Sequence, residues 1–197
     1  MTLKIYILNT NDISVDALMN SPYISEYEKP SFDKFKNEMV KKEKIASSIF
    51  KNKYIGEYRL NEFGKPVCDD KHFNISHSHG YVVFVMDTVQ VGVDIETIRP
   101  VKKELSDYTS NEEEKAYIRD EETFYEVWTN KEALVKADGH GIRGKVNLIP
   151  ALPLNGVRSY NGQTYRNITI KYKDYIITVS RQNKEDYSLD IVEEIDK

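Results

Sequence analysis

Tyr81-Val82-Val83-Phe84-Val85-Met86-Asp87-Thr88-Val89-Gln90-Val91-Gly92-Val93-Asp94-Ile95-Glu96 is the stretch that decides the fold. Residues 81–87, rich in Val and Phe, read as a strand, residues 90–98 as a second, and Asp87-Thr88 as the bend between them. Side chains alternate along a strand, so Val91, Val93 and Ile95 take one face while Asp94 and Glu96 share the other. At about 3.3 Å rise per residue the Cα atoms of the two acids lie roughly 6–7 Å apart, within reach of one cation. Hard oxygen ligands at this spacing suit Mg²⁺, which takes one or two carboxylates together with phosphate oxygens and water. The same pattern also describes an amphipathic strand whose polar face is in water.

Toward the N-terminus, residues 1–8 alternate loosely and read as a first strand. Pro30 is expected to open a helix carrying Phe32, Phe35, Met39, Ala46 and Ile49 on one face, ended by Gly56. Phe63-Gly64-Lys65-Pro66 is turn chemistry, and Phe73-Asn74-Ile75-Ser76-His77-Ser78-His79-Gly80 reads as a polar turn entering the strand at 81. Toward the C-terminus, Ser110-Asn111-Glu112-Glu113 has the Ser-x-x-Glu form of a capping box and predicts a helix start. A second helix is predicted over 123–137, stopped by Gly139 and Gly141. Two or three strands follow Pro150 and Pro153, at 164–171, 175–181 and 187–192. The order strand, helix, strand, strand, then helix, strand, strand gives an α+β (α/β) fold. It suggests two similar α/β halves meeting near 88–90: residues 1–88, and residues 89–197 carrying the acids.

The 197 residues, 40% of them AVILMFWYC, can bury the core of one compact unit or of two small halves. Lys+Arg 28 against Asp+Glu 32 leaves −4, which argues against nucleic-acid binding by bulk charge. The longest apolar run, 81–86, is far short of a membrane span, and residues 5–8 are too short for a signal-peptide core. Cys68 is the single cysteine, so neither an internal disulfide nor a cysteine-built zinc cage can form. The chain therefore reads as cytoplasmic, with any metal held by carboxylates or histidines. Charge is uneven: residues 34–53 carry +5 and residues 104–126 carry −7. Solvated helix faces explain either stretch, and the basic one also suits a nearby polyphosphate.

On the predicted helix over 123–137, Glu132 and Lys136 are i,i+4 neighbours and present an acid and a base on one face. An exposed ion pair, worth a few tenths of a kcal/mol, is the plain alternative. Ser76, His77 and Ser78 can donate hydrogen bonds to a phosphate, His77 adding charge when protonated. Neither a G-x-S-x-G elbow nor a Walker motif is present.

Together these segments resemble the surfactin-type 4′-phosphopantetheinyl transferases. The resemblance rests on Phe63-Gly64-Lys65-Pro66, Phe73-Asn74-Ile75-Ser76-His77-Ser78, Val91-Gly92-Val93-Asp94-Ile95-Glu96, and Trp128-Thr129-Asn130-Lys131-Glu132-Ala133 through Lys136 and Gly139-His140-Gly141. They stand in the family's order over residues 63–141. The resemblance implies transfer of the phosphopantetheine arm of coenzyme A to a serine of an apo acyl or peptidyl carrier protein, releasing adenosine 3′,5′-bisphosphate. It further implies a monomer of two halves related by a pseudo-twofold, with coenzyme A between them. Asp94, Glu96 and Glu132 match the Mg²⁺-binding acids, Mn²⁺ remaining open. Lys136 matches the lysine facing the pyrophosphate, and Lys65 and His77 match coenzyme A contacts, His77 near the 3′-phosphate.

A serine hydroxyl must lose its proton as it attacks, which makes Glu132 the candidate base and Lys136 the candidate stabiliser of the leaving bisphosphate, with Asp94 completing the catalytic set. Many relatives carry a phosphate-binding arginine in the helix before residue 50. A gapless reading places Ser47 there, with Lys41, Lys42 and Lys44 just upstream; Lys42 is taken as its substitute, and the choice among the three stays open. Whether the carrier serves fatty-acid, polyketide or peptide synthesis is not legible. Two rival readings are a Mg²⁺-dependent nuclease or phosphodiesterase built on the same acids, and a non-enzymatic binding module.

Overall fold

Valine-rich alternation makes strands of Tyr81–Asp87 and Val91–Thr97 as expected, yet the two belong to different sheets. The computed structural model describes residues 1–142, 144–183 and 185–194. Before the first of these strands come β1 (Thr2–Asn9), α1 (Val15–Met19), α2 (Glu38–Tyr54), the short β2 (Arg59–Leu60) and β3 (Pro66–Val67), and β4 (His72–Ser78). The strands Tyr81–Asp87 and Val91–Thr97 are β5 and β6. After them come α3 (Lys103–Thr109), α4 (Glu112–Tyr117), α5 (Glu121–Asp138), β7 (Gly156–Tyr160), β8 (Gln163–Tyr172), β9 (Tyr175–Arg181) and β10 (Ser188–Glu193). Two four-stranded sheets, ordered β10-β1-β5-β4 and β6-β9-β8-β7, stand beside the β2-β3 hairpin. The class is α+β, as expected.

One core lies between the sheets and is filled from both: Leu3, Ile5 and Ile7 of β1, Val83 and Val85 of β5, Val91, Val93 and Ile95 of β6, and Ile177 and Val179 of β9. The outer face of the first sheet is covered by α1 and α2, whose Leu18, Ile45, Ile49 and Phe50 pack on Leu8, Phe73, Val82 and Phe84. Burying these aliphatic and aromatic side chains, each worth about 1.5–3 kcal/mol, is what drives the layers together. α5 covers the outer face of the second sheet through a polar seam. Thr129 Oγ1 meets Thr178 Oγ1 at 2.8 Å, and Asn167 Nδ2 donates to Asn130 Oδ1 at 2.9 Å. Helix and strand approach most closely at Gly92, where no side chain intervenes.

Several expectations need correction. Pro30 opens only a 3₁₀ turn over Lys29–Phe32; α2 starts later, where Asn37 accepts from the Val40 N–H at 3.1 Å. The capping box sits one residue along, with Asn111 and Glu114 capping each other reciprocally, because Ser110 already ends the unanticipated α3. Residues 72–78 form a strand, and only His79 and Gly80, both with positive φ, make the turn. Its period was hidden because Asn74, Ser76 and Ser78 are buried polar residues. α1 and β7 are also additions.

The acidic stretch 104–126 is not wholly a solvated face. Glu114 is buried and accepts from Lys131 Nζ at 2.7 Å, from Asn111 N–H at 2.9 Å and from Ala151 N–H at 3.1 Å. The halves 1–88 and 89–197 do not divide the sheets cleanly, since β10 returns to pair in parallel with β1. The last three residues of that second half lie outside the described ones. Among the described residues no helix is long and apolar enough to cross a membrane.

Candidate active site

At the join of the sheets β4 and β6 run side by side in the same direction, and side chains rather than a backbone ladder connect them. Asn74 Oδ1 accepts from the Val93 N–H at 3.0 Å, and Ser78 Oγ accepts from the Thr97 N–H at 3.3 Å. The hydroxyls of Ser76 and Ser78 donate to Asp94 Oδ1 at 2.8 Å and to Glu96 Oε2 at 3.1 Å. The polar face of β6 is thus turned into the protein, which overturns the solvated-strand alternative. Because α5 crosses β6 at Gly92, it carries Glu132 and Lys136 to the same place. A cleft of about 290 Å³ is lined by Ser76, His77, Asp94, Glu96, Glu132 and Lys136 with Ile75 and Trp128.

Lys136 is not the i,i+4 surface partner of Glu132. Its Nζ donates to Asp94 Oδ1 at 2.6 Å and to Ser76 Oγ at 3.0 Å. Burial pushes the Glu96 and Glu132 carboxyls up from their ordinary values, and the negative charge of Asp94 adds to the rise in both; Lys136 opposes it. Three acids against one lysine leave a formal −2 in the cleft. Asp94 Oδ2 is buried with no hydrogen-bond partner, a state that costs about 1–3 kcal/mol unless a cation meets the oxygen. Among the described residues no three His, Cys, Asp or Glu side chains are gathered tightly enough to hold a metal ion as they stand. The donor chemistry nonetheless fits a hard divalent cation: carboxylate oxygens only, an orphaned one among them, and a matching charge deficit.

A second cleft, about 450 Å³, adjoins the first through Ile75 and His77 and is lined by Lys34, Lys44, Ser47, Ser48, Lys51 and Tyr58, among others. Buried Glu43 stands behind His77: its Oε2 is 3.0 Å from Nδ1, and its Oε1 accepts the Gly80 N–H at 2.8 Å. Burial alone would raise the Glu43 carboxyl, but the His77 and Gly80 hydrogen bonds outweigh it and hold it below its ordinary value. With Nδ1–H given to Glu43, His77 Nε2 is left to accept from Lys44 Nζ at 3.0 Å.

Two residues matched to coenzyme A contacts, Lys42 and Lys65, do not line either cleft. Lys42 pairs with Glu38 at 3.2 Å and is not among the residues lining the second cleft, whereas Lys44 is. On a helix, two residues' difference turns a side chain by about 200°, so only the tertiary contact with His77 selects between these lysines. Lys65 is buried, and its Nζ donates to the Ala137 carbonyl at 2.8 Å and to Gln90 Oε1 at 2.7 Å. It thereby satisfies the C-terminal turn of α5, and it lines neither cleft. Burial lowers its pKa from 10.5 to about 8, with Asp138 opposing. Between those values the unfolded chain binds a proton that the folded chain does not, so stability rises with pH. Relative to Lys65→Met, the wild type should gain about 2 kcal/mol from pH 8 to pH 10. Urea unfolding of both proteins across that range checks this; parallel curves would remove the burial argument.

The model of the 4′-phosphopantetheinyl transferase superfamily matches residues 90–192, just over half of the chain. The chain belongs to that superfamily. The superfamily match takes in Asp94, Glu96, Glu132 and Lys136, while Lys44 and His77 lie before it. The chain is 37% identical over 97 residues to the 4′-phosphopantetheinyl transferase gsp of Aneurinibacillus migulanus, covering 46% of this chain and 41% of that one. To the 4′-phosphopantetheinyl transferase Sfp of Bacillus subtilis it is 34% identical over 94 residues, 43% of this chain and 42% of the relative. A more distant likeness, 26% over 157 residues and 61% of each chain, is to the L-aminoadipate-semialdehyde dehydrogenase-phosphopantetheinyl transferase of Schizosaccharomyces pombe. The matches thus span less than half the length of the two bacterial relatives.

Sequence reasoning left Lys44 as one of three candidate lysines and missed two groups at the site: Glu43 as the acid behind His77, and Ser76 and Ser78 as partners of the β6 acids. Glu43 and Lys44 lie more than thirty residues from His77, and nothing local signals the contact. The serines did carry a signal, since their i,i+2 spacing repeats that of Asp94 and Glu96.

Proposed function

We propose that the protein transfers the 4′-phosphopantetheine arm of coenzyme A to a serine hydroxyl of an apo acyl or peptidyl carrier protein, releasing adenosine 3′,5′-bisphosphate. The observation that carries this reading is the convergence of Asp94 and Glu96 from β6 with Glu132 and Lys136 from α5 on one cleft. Membership of the superfamily supports it.

In this reading Asp94, Glu96 and Glu132 hold Mg²⁺ or Mn²⁺, which when bound supplies positive charge to the pyrophosphate of coenzyme A. The serine oxygen attacks the phosphorus that carries the pantetheine arm, a new P–O bond forms, and the P–O bond to the bisphosphate breaks. Glu132 takes the serine proton, directly or through a water. Lys136, whose side chain is 28% exposed, moves its ammonium from Asp94 to the departing bisphosphate. Lys44 and His77, with Ser47 beside them, receive the remaining phosphate in the second cleft. Catalysis is then mainly positioning and neutralisation of charge. The reading keeps the expectation of a monomeric, cytoplasmic enzyme whose carrier is unspecified.

Incubation with coenzyme A, Mg²⁺ and a set of apo carrier proteins should add the mass of one phosphopantetheine arm to at least one carrier, read by intact mass spectrometry. No gain on any carrier, with Mg²⁺ and Mn²⁺ both tried, would overturn the reading.

A further inference from the structure

The acids of β6 are not free to choose their orientation, because β4 grips each of them by one oxygen. Ser76 Oγ and Lys136 Nζ both donate to Asp94 Oδ1, at 2.8 and 2.6 Å, while Lys136 also donates to Ser76 Oγ at 3.0 Å. The three groups close a triangle in which the serine proton is committed to the carboxylate, because the ammonium has no lone pair with which to accept it. All the hydrogen bonding of Asp94 falls on Oδ1, and Oδ2 is left buried without a partner. Two residues along each strand a serine again meets an acid. Ser78 Oγ accepts from the Thr97 N–H at 3.3 Å and donates to Glu96 Oε2 at 3.1 Å, with His79 Nδ1 a second neighbour at 3.2 Å. Arg99 reaches the same Oε2 at 3.5 Å. Both serines are buried residues.

We propose that Ser76 and Ser78 are positioning residues for Asp94 and Glu96, each hydroxyl holding one carboxylate oxygen so that the other is left for a divalent cation. The inference deepens the proposed function and rests on its assignment of a cation to these acids. It explains why the equal spacing of two pairs matters. Side chains two apart on β4 meet side chains two apart on β6, so one strand orients a ligand pair on the other. Hydrogen bonds of this kind to ligating carboxylates set their orientation, and losing one costs about 10–100-fold in metal affinity.

The test is binding of Mn²⁺, followed by its electron paramagnetic resonance signal with coenzyme A present, to the wild type, Ser76→Ala, Ser78→Ala and Asp94→Asn. Thermal melting of the metal-free proteins accompanies it. Each serine variant should bind Mn²⁺ about 10-fold or more weakly while its metal-free melting temperature stays within about 3 °C of the wild type. Loss of affinity together with a larger fall in melting temperature in both serine variants would make them merely structural and overturn the proposal. Full affinity in both serine variants, with binding lost in Asp94→Asn, would overturn it while leaving the proposed function standing. Full affinity in Asp94→Asn, or no binding by the wild type, would overturn both.

Discussion

Asp94→Ala should cut phosphopantetheine transfer about a thousandfold or more while the protein melts no lower than the wild type. The loss follows from the position of Asp94: it is the acid that both Ser76 and Lys136 meet, and its charge is felt by Glu96 and Glu132 alike. A metal's stabilisation of phosphate charge is worth several kcal/mol, and each 1.36 kcal/mol is about tenfold in rate. The melting result follows from the orphaned Oδ2. Removing a buried acceptor that has no partner, and one of three crowded negative charges, relieves a cost instead of adding one. Lys136 and Ser76 both lose Oδ1 as an acceptor, but Lys136 is exposed enough to find water and Ser76 Oγ still accepts from it. Activity assays with coenzyme A and a carrier that responds to the wild type, beside calorimetry, check both halves. Near-normal turnover in the folded variant would remove Asp94 from the site.

Gly92→Ala should be among the most damaging single-methyl additions in the chain. A Cβ there would lie 2.2 Å from the Ala133 carbonyl oxygen and 2.3 Å from the Ala137 backbone nitrogen, both on α5. Neither is a flexible side-chain end, so helix and strand must separate along the polar seam that Thr129 and Thr178 close. Overpacking a core costs about 1–3 kcal/mol, and two backbone clashes place this substitution at or above the top of that range, about 10 °C in melting temperature. Function should suffer beyond the loss of stability, because the same separation lifts Glu132 and Lys136 away from Asp94. Assays well below the variant's melting temperature test this. A stable Gly92→Ala protein with wild-type kinetics would show that α5 and β6 can separate at Gly92 without cost to the site.

Much of the architecture is readable from local pattern, and the exceptions have physical causes. The strands β5, β6, β8 and β9 announce themselves by β-branched runs between turn residues, and α5 by its length and its Gly139 stop. β4 escapes because its alternation is short, Phe73 and Ile75 against Asn74, Ser76 and Ser78, with His77 at the next apolar position, and because its polar face is buried through hydrogen bonds to β6. α3 escapes because its Leu105 and Tyr108 are exposed, so it has no apolar stripe facing a core.

For the site, covalent spacing alone put Asp94 and Glu96 on one strand face, and Glu132 and Lys136 on one helix face, because strand and helix periods are properties of the backbone. Tertiary structure decided how those two faces meet, that Lys136 pairs with Asp94 rather than Glu132, that Lys44 and not Lys42 stands beside His77, and that Lys65 serves the end of α5. Those choices depend on contacts between residues dozens of positions apart. Burial and hydrogen-bond satisfaction settle them only once the layers have packed, and no local period encodes them.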